Sequence, residues 1–158
     1  MVRALKDQLA DDLKTAMKAG DAVRVGVIRI ARSALRNAEI EARASLDSDE
    51  QVIAILSREA KLRREAIEEF QRGGRQDLVQ KEQAELDILE QYLPAALSEA
   101  EVRELAAAAM GEVGATTPAD LGKVMQVLMP NIRGRADGKQ ANQIVRDLLA
   151  GSAAGAGA

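Results

Sequence analysis

Aromatic residues are almost absent from this chain, which contains only Phe70 and Tyr92 among its 158 residues. β-Sheets are usually built from aromatic and β-branched residues, whereas Ala, Leu, Glu, Arg, Lys and Gln dominate here and favour helices. The same lack of aromatic rings removes the platforms on which nucleic-acid bases stack. The composition therefore predicts an all-α fold.

The first 94 residues contain four amphipathic segments. The first segment has an i, i+4 apolar stripe that consists of Leu5, Leu9, Leu13 and Met17. Ser48 followed by Gln51 is a capping-box pattern that opens the third segment. Pro94 removes a backbone donor and disfavours helical angles at Leu93, so it ends the fourth. We therefore expect an N-terminal helical domain of about four helices over residues 1–94.

Three further helices are predicted after Pro94. A second capping box, Ser98 with Glu101, starts a helix over about residues 99–113. Thr117 and Pro118 begin the next helix, and Pro130 is expected to stop it. These helices form a small C-terminal domain over residues 95–150. Residues 151–158 are Gly, Ala and Ser, and this composition predicts a flexible tail.

The turn between the last two predicted helices is rich in glycine and in cations. Residues 95–120 carry a net charge of −4, whereas residues 121–150 carry +3. Glycines permit close backbone approach, and the start of the last helix offers unpaired N–H groups. In an acidic protein this local cationic site predicts an anionic partner, most simply a nucleic-acid backbone. The candidate binding residues are Lys123, Arg133, Gly134, Arg135, Gly138, Lys139 and Arg146.

Other interpretations of these cations stay open. The segment is not a nucleotide-hydrolysing phosphate loop, because three residues instead of four separate Gly134 from Gly138 and Gln140 stands where a magnesium-binding hydroxyl is needed. The glycines could serve turn geometry alone, with Asp137 as a helix cap. A second row could follow a phosphate backbone or simply be the solvated side of the second helix, and consists of Arg29, Arg32, Arg36 and Arg43.

Catalytic and metal-binding chemistry is strongly restricted. The chain has neither histidine nor cysteine, so the commonest general base, the commonest metal ligand and all disulfides are excluded. Ser48 and Ser98 are interpreted as helix caps. The segment 47–50 lacks the glycine and the spacing of a calcium loop. We predict no catalytic residue, no metal site and no cofactor.

The sequence also bears on location. No apolar run approaches the roughly 18 residues that suggest a membrane span. The N-terminus is charged and amphipathic rather than similar to a secretory signal. We expect a cytoplasmic protein without a membrane partner.

Several short strings resemble the YqeY-like (GatB/YqeY) family. They are Arg72–Leu78, Glu90–Pro94 with Leu97–Glu99, Gly122–Met125, Leu128–Pro130 and Gly134–Lys139. The resemblance covers about Leu5 to Leu149. The family is related to the tail region of the GatB subunit of the tRNA-dependent amidotransferase, a carbon–nitrogen ligase with glutamine as amido donor. The resemblance implies a helical N-terminal domain followed by a small helical tail domain.

The resemblance also implies contact with tRNA through the tail domain, at residues 134–137 with Lys123 and Lys139 nearby. We expect a tRNA-binding accessory module without activity of its own, because the catalytic body of GatB is missing. tRNA is the expected partner, together with subunits of an amidotransferase or of another tRNA enzyme. Two alternatives stay open: a protein-interaction adaptor whose N-terminal helices dock on a partner, and a component of a carbon–nitrogen ligase that uses glutamine.

Overall fold

The fold is all-α, as the composition predicts. The computed structural model describes residues 4–155, with side chains for residues 4–152, and in this range it contains seven α-helices, one short 3₁₀ helix and no β-strand. The elements in chain order are α1 (Leu5–Ala19), α2 (Ala22–Ala42), α3 (Asp49–Arg72), α4 (Gln76–Glu90), α5 (Glu99–Val113), the 3₁₀ helix (Pro118–Asp120), α6 (Leu121–Ile132) and α7 (Gly138–Gly155). These elements form two compact units. The unit Met1–Pro94 contains α1 to α4, and the unit Ala95–Ala158 contains α5 to α7.

The first unit packs around α2, which contacts α1, α3 and α4. Its core includes Leu9, Ile28, Leu56 and Leu89, one from each helix and each at most 1% exposed. Local signals set the helix ends. Gly20 ends α1 in the left-handed region at φ +68°, and the Ser48 capping box starts α3. Burial of the apolar stripes supplies most of the stability of such helices.

Two polar interactions cross this core. The hydroxyl of Tyr92 donates to Oδ2 of Asp12 at 2.6 Å, which connects the segment after α4 to α1. Arg63 on α3 is 8% exposed and lies between two carboxylates, with Nη1 3.7 Å from Oε2 of Glu59 and Nε 3.6 Å from Oε2 of Glu85. A guanidinium loses its hydration when it is buried, and nearby carboxylates must compensate for this loss.

The second unit has its own core, made by one side of each of its three helices. The hydroxyl of Ser98 accepts from the N–H of Glu101 at 3.1 Å, and the Glu101 carboxylate accepts from the N–H of Ser98 at 2.7 Å. This capping box starts α5, as predicted. The fully buried members of the core are Val102, Ala106, Val124, Leu128, Ile132, Ala141, Val145 and Leu149.

Three helix boundaries in this unit differ from the prediction. Pro130 does not stop α6, which continues to Ile132 because proline removes only one backbone donor and the N–H of Arg133 still bonds to the Met129 oxygen at 3.0 Å. Thr117 and Pro118 open the 3₁₀ helix, and α6 begins after it. Helix α7 runs through Gly155, five residues into the segment predicted as a flexible tail, and residues 156–158 lie outside the described residues.

Candidate functional site

The turn between α6 and α7 is fixed by its own backbone. Gly134 adopts φ +78°, a region that L-residues with a side chain rarely occupy. The Ile132 carbonyl accepts from the N–H groups of Arg135 at 2.8 Å and Ala136 at 3.0 Å. The Asp137 carboxylate then accepts from the N–H of Lys139 at 3.2 Å, so Asp137 caps α7 as the structural interpretation predicts.

The same turn is fastened to the segment before α5. The N–H of Leu97 donates to the Arg135 carbonyl at 2.8 Å, and Nε of Arg135 donates to the Ala95 carbonyl at 3.4 Å. At Gly138 a Cβ would meet the Met129 side chain at 3.6 Å, an ordinary contact distance. Turn geometry therefore requires glycine at position 134, whereas packing leaves room for a methyl group at position 138.

The cations predicted for this site form no ion pairs with carboxylates of the described residues. Lys123, Arg133, Arg135, Lys139 and Arg146 are all exposed, and no carboxylate oxygen of the described residues lies within 4.0 Å of their charged nitrogens. The pKa of the nearby Glu101 carboxyl is lowered, mainly because it accepts from the N–H and hydroxyl of Ser98, with a smaller effect of the Arg135 charge. The five cations therefore keep their charge available to solvent.

These residues do not all lie in one place. Arg133, Gly134, Arg135, Gly138 and Lys139 belong to the turn itself. Lys123 is in the first turn of α6, ten residues before Arg133 and thus about 15 Å away along the helix axis. Arg146 lies seven residues beyond Lys139, about 10 Å along α7, and its Nε donates to the Asn142 side chain. Anion binding by the turn stays a prediction.

The outer side of α2 carries the second row of cations. Arg29, Arg32, Arg36 and Arg43 are exposed, and they too have no carboxylate oxygen within 4.0 Å among the described residues. Ile40 is 65% exposed, more than any other large apolar side chain among the described residues. The nearby Glu39 is engaged elsewhere: its carboxylate accepts from the Leu46 N–H at 3.0 Å and from Lys6, which lowers its pKa.

A groove between α2 and α3 was not foreseen from the sequence. On α2 it is lined by Ile30, Ala34 and Ala38, and on α3 by Ile55, with Arg58 and Glu59 at the edge. Ile30 is 48% exposed although it belongs to an apolar helix pattern. Ala34 and Ala38 follow the same apolar periodicity as the buried side of α2. They are only half-buried, and their small side chains leave a depression that periodicity alone does not distinguish from core.

The described residues contain neither a metal-binding cluster nor a membrane-spanning helix. That part of the chain holds no group of three or more carboxylates placed to bind a metal ion. It also holds no helix long and apolar enough to cross a bilayer.

Comparison with known proteins decides the family. The model of the Yqey-like protein family matches residues 6–149. The chain belongs to the YqeY-like family. The resemblance carried by the short strings of the sequence is therefore confirmed over nearly the whole chain.

Three curated relatives of this YqeY-like chain carry one name, "Altered inheritance of mitochondria protein 41, mitochondrial". The relative from Pyrenophora tritici-repentis is 34% identical over 134 residues, which cover 82% of this chain and 71% of the relative. The relative from Eremothecium gossypii is 41% identical over 64% of this chain and 55% of its own length. A Saccharomyces cerevisiae relative is 36% identical over 54% of this chain, which spans 46% of it.

These names correct two expectations. The expected function, a tRNA-binding accessory module of an amidotransferase, is wrong, because the relatives are named for mitochondrial inheritance and not as tRNA-binding or amidotransferase proteins. The expected cytoplasmic location is contradicted by the same names, which call each relative mitochondrial. The first error arose from transferring a property of the related GatB tail to this chain, and the second from concluding a location from the lack of an apolar span and of a secretory signal.

Proposed function

We propose that this chain is a protein-binding module whose first unit holds an amphipathic helix of a partner protein in the groove between α2 and α3. The observation that carries the proposal is the groove's composition. Four of its nine lining residues are apolar, Ile30, Ala34, Ala38 and Ile55, and the five others are polar: Ser33, Asn37, Glu41, Arg58 and Glu59. An apolar centre within a polar rim is the usual anatomy of a protein interface.

The dimensions of the groove favour a helix as its occupant. The α2 side extends over the twelve residues from Ile30 to Glu41, or about 16 Å of helix axis. This length matches about three turns of a partner helix. Alanines at positions 34 and 38 allow a second helix backbone to approach α2 closely. Binding then uses apolar anchors at i, i+3/i+4 and i+7 of the partner.

Charge at the edge of the groove restricts which helix fits. Glu41 lies on the α2 edge, whereas Arg58 lies on the α3 edge and has no carboxylate within 4.0 Å among the described residues. Glu59 is already near Arg63. A complementary partner helix carries a cation beside Glu41 and an acidic residue beside Arg58, on either side of its apolar stripe.

The chemistry of the chain also supports a binding role. Histidine and cysteine are absent from the whole sequence, so the side chains that most often act as general bases and nucleophiles are missing. Binding a partner helix requires no catalytic centre. Such a role is therefore compatible with relatives that are named for mitochondrial inheritance.

Site-specific photo-crosslinking tests the proposal. A photoreactive amino acid at Ser33, on the edge of the groove, should capture one protein in cells of the producing organism, and the same amino acid at the exposed Thr15 on α1 should not. The crosslinked peptide should have apolar residues at helical spacing. A synthetic copy of it should then bind the purified chain, with an affinity reduced at least about tenfold by Ile30→Asp because a charge replaces an apolar anchor.

A matched control is available on α1. Met17 is 53% exposed, close to the 48% of Ile30, and does not line the groove. Met17→Asp should leave peptide binding unchanged. Equal capture from Ser33 and Thr15, or equal loss of peptide binding in both variants, would reject the groove as the binding surface. Capture of a second copy of the chain would show self-association instead.

A further inference from the structure

The outer side of α2 combines unpaired arginines with one exposed aliphatic side chain. Relative to Arg29, Arg32 lies at i+3, Arg36 at i+7 and Ile40 at i+11 of α2. With 3.6 residues per turn, these four positions fall within about 80° of the helix circumference. Arg43 caps the C-terminus of α2 at φ 52° and lines one depression with Arg36 and Ile40. They therefore form one face, which we call the arginine face: Arg29, Arg32, Arg36, Ile40 and Arg43.

We infer that the arginine face attaches the chain to the surface of an anionic lipid bilayer. Guanidinium groups bind phosphate with paired N–H donors, and lipid headgroups present phosphates across a plane. The part of the row on α2, from Arg29 to Ile40, is about 16 Å long and straight, since it follows one helix. Ile40 lies among the arginines, where it enters the apolar layer below the headgroups.

The arginines are free for this contact. Each is exposed, and no carboxylate oxygen of the described residues lies within 4.0 Å of any of them. Glu39, three residues after Arg36, is held by Lys6 and the Leu46 N–H, and Arg36 has only a smaller coulombic effect on it. By contrast, Arg64, Arg72 and Arg75 in the same unit are all paired with carboxylates.

A lipid surface fits this face better than a nucleic acid does. Tyr92 is 5% exposed, and α2 carries no aromatic ring that could stack on a base. An RNA backbone offers phosphates but nothing apolar beside them for the exposed Ile40. The sequence predicts no membrane partner because it lacks a spanning segment, but surface attachment does not require one.

The attachment to the lipid surface is weak, because only a few arginines contribute to it. Each arginine near an anionic surface contributes roughly a fivefold gain in partitioning, and the contribution decreases with salt. The whole chain has a net charge of −3, which opposes approach to an anionic surface at long range. Attachment is thus reversible and depends on the local face rather than on the overall charge.

Flotation with lipid vesicles tests the inference on the full chain. The protein should float with vesicles of mixed phosphatidylcholine and phosphatidylglycerol, not with phosphatidylcholine alone, and less at high salt. Arg29→Gln/Arg32→Gln/Arg36→Gln should lower partitioning about 100-fold. Arg64→Gln/Arg72→Gln/Arg75→Gln removes the same charge from paired arginines and should change it less than about threefold. Equal losses in the two triple variants would overturn the inference.

A fluorescent reporter tests the orientation. The chain has no tryptophan, so Ile40→Trp creates a single probe. Its emission should shift to shorter wavelength with the mixed vesicles, whereas Met17→Trp on α1 should not respond. Binding to poly-uridylate or to poly-glutamate but not to vesicles would assign the face to a nucleic acid or an acidic protein and overturn the inference. Neither result bears on the groove, whose variant Ile30→Asp leaves the arginine face intact.

Discussion

The N–H of Leu97 donates to the carbonyl oxygen of Arg135 at 2.8 Å, although 38 residues separate the two in the sequence. This bond joins the segment before α5 to the turn before α7. It uses only the backbone of Arg135, whose side chain makes one exposed and longer bond, at 3.4 Å, to the Ala95 carbonyl. The charge of Arg135 can therefore be removed without removing the link.

Arg135→Ala should change the free energy of unfolding by less than about 0.5 kcal/mol, because an exposed side chain with one weak hydrogen bond contributes little. Urea unfolding followed by circular dichroism measures this change. A loss near 2 kcal/mol would contradict the separation of backbone and side-chain roles at this position.

Gly134→Ala should destabilise the second unit by about 1 kcal/mol or more, because alanine is strained at φ +78°. Gly111 near the end of α5 provides the matched control. It has helical angles and open space around a new Cβ, so Gly111→Ala should stabilise by about 0.5 kcal/mol. Effects of the same sign in the two variants would show that backbone angle is not the cause.

Glu101→Gln should alter how stability depends on pH. The folded-state pKa of Glu101 lies below its ordinary value of 4.5, mainly because the Ser98 N–H donates to the carboxylate. A lowered pKa contributes stability that is present above pH 4.5 and is lost as pH falls through the folded-state value. Wild type should therefore lose more stability than Glu101→Gln below pH 4.5, in urea titrations across this range. Parallel pH profiles would disagree with this assignment.

Tyr92→Phe should destabilise the first unit by about 1–2 kcal/mol, because it removes a hydrogen bond to a carboxylate. Burial, with a smaller effect of Asp12, raises the pKa of the Tyr92 hydroxyl above its ordinary value of 10.0. A raised pKa gives stability that is complete below pH 10.0 and is lost as pH rises through the folded-state value. The difference between wild type and Tyr92→Phe should shrink above pH 10.0, and urea unfolding on both sides of that pH measures it.

Arg63→Met should cost about 2 kcal/mol, because Glu59 and Glu85 would face each other without the guanidinium between them. Neutralising both neighbours should recover most of the loss, so Arg63→Met/Glu59→Gln/Glu85→Gln should lie within about 1 kcal/mol of wild type. Denaturant midpoints of the single and triple variants decide between this electrostatic cause and a packing defect, since a packing defect would persist in the triple variant.

Much of the architecture was predictable because it depends on neighbours in sequence. The capping boxes at Ser48 and Ser98 act within one helical turn, and both fall where the residue pattern predicts them. The prediction that Pro130 ends α6 was wrong, because the effect of a proline depends on which backbone hydrogen bonds the flanking residues still form. In the candidate site, the order of residues from Arg133 to Lys139 brings them into one turn by itself. Lys123 and Arg146 belong to the same cationic segment of the sequence, but they lie within α6 and α7, away from this turn.

Sequence by itself determined the class of fold, the starts and ends of most helices and the family, because these depend on composition, local hydrogen bonds and periodic burial. Only the tertiary structure decided which side chains of a helix are covered. Leu35 and Ile40 are both aliphatic residues of α2, yet one is 4% and the other 65% exposed. The difference depends on α1, α3 and α4, which reach α2 from distant parts of the chain. Within the described part of the first unit, the groove and the arginine face exist because α1, α3 and α4 leave those sides of α2 uncovered.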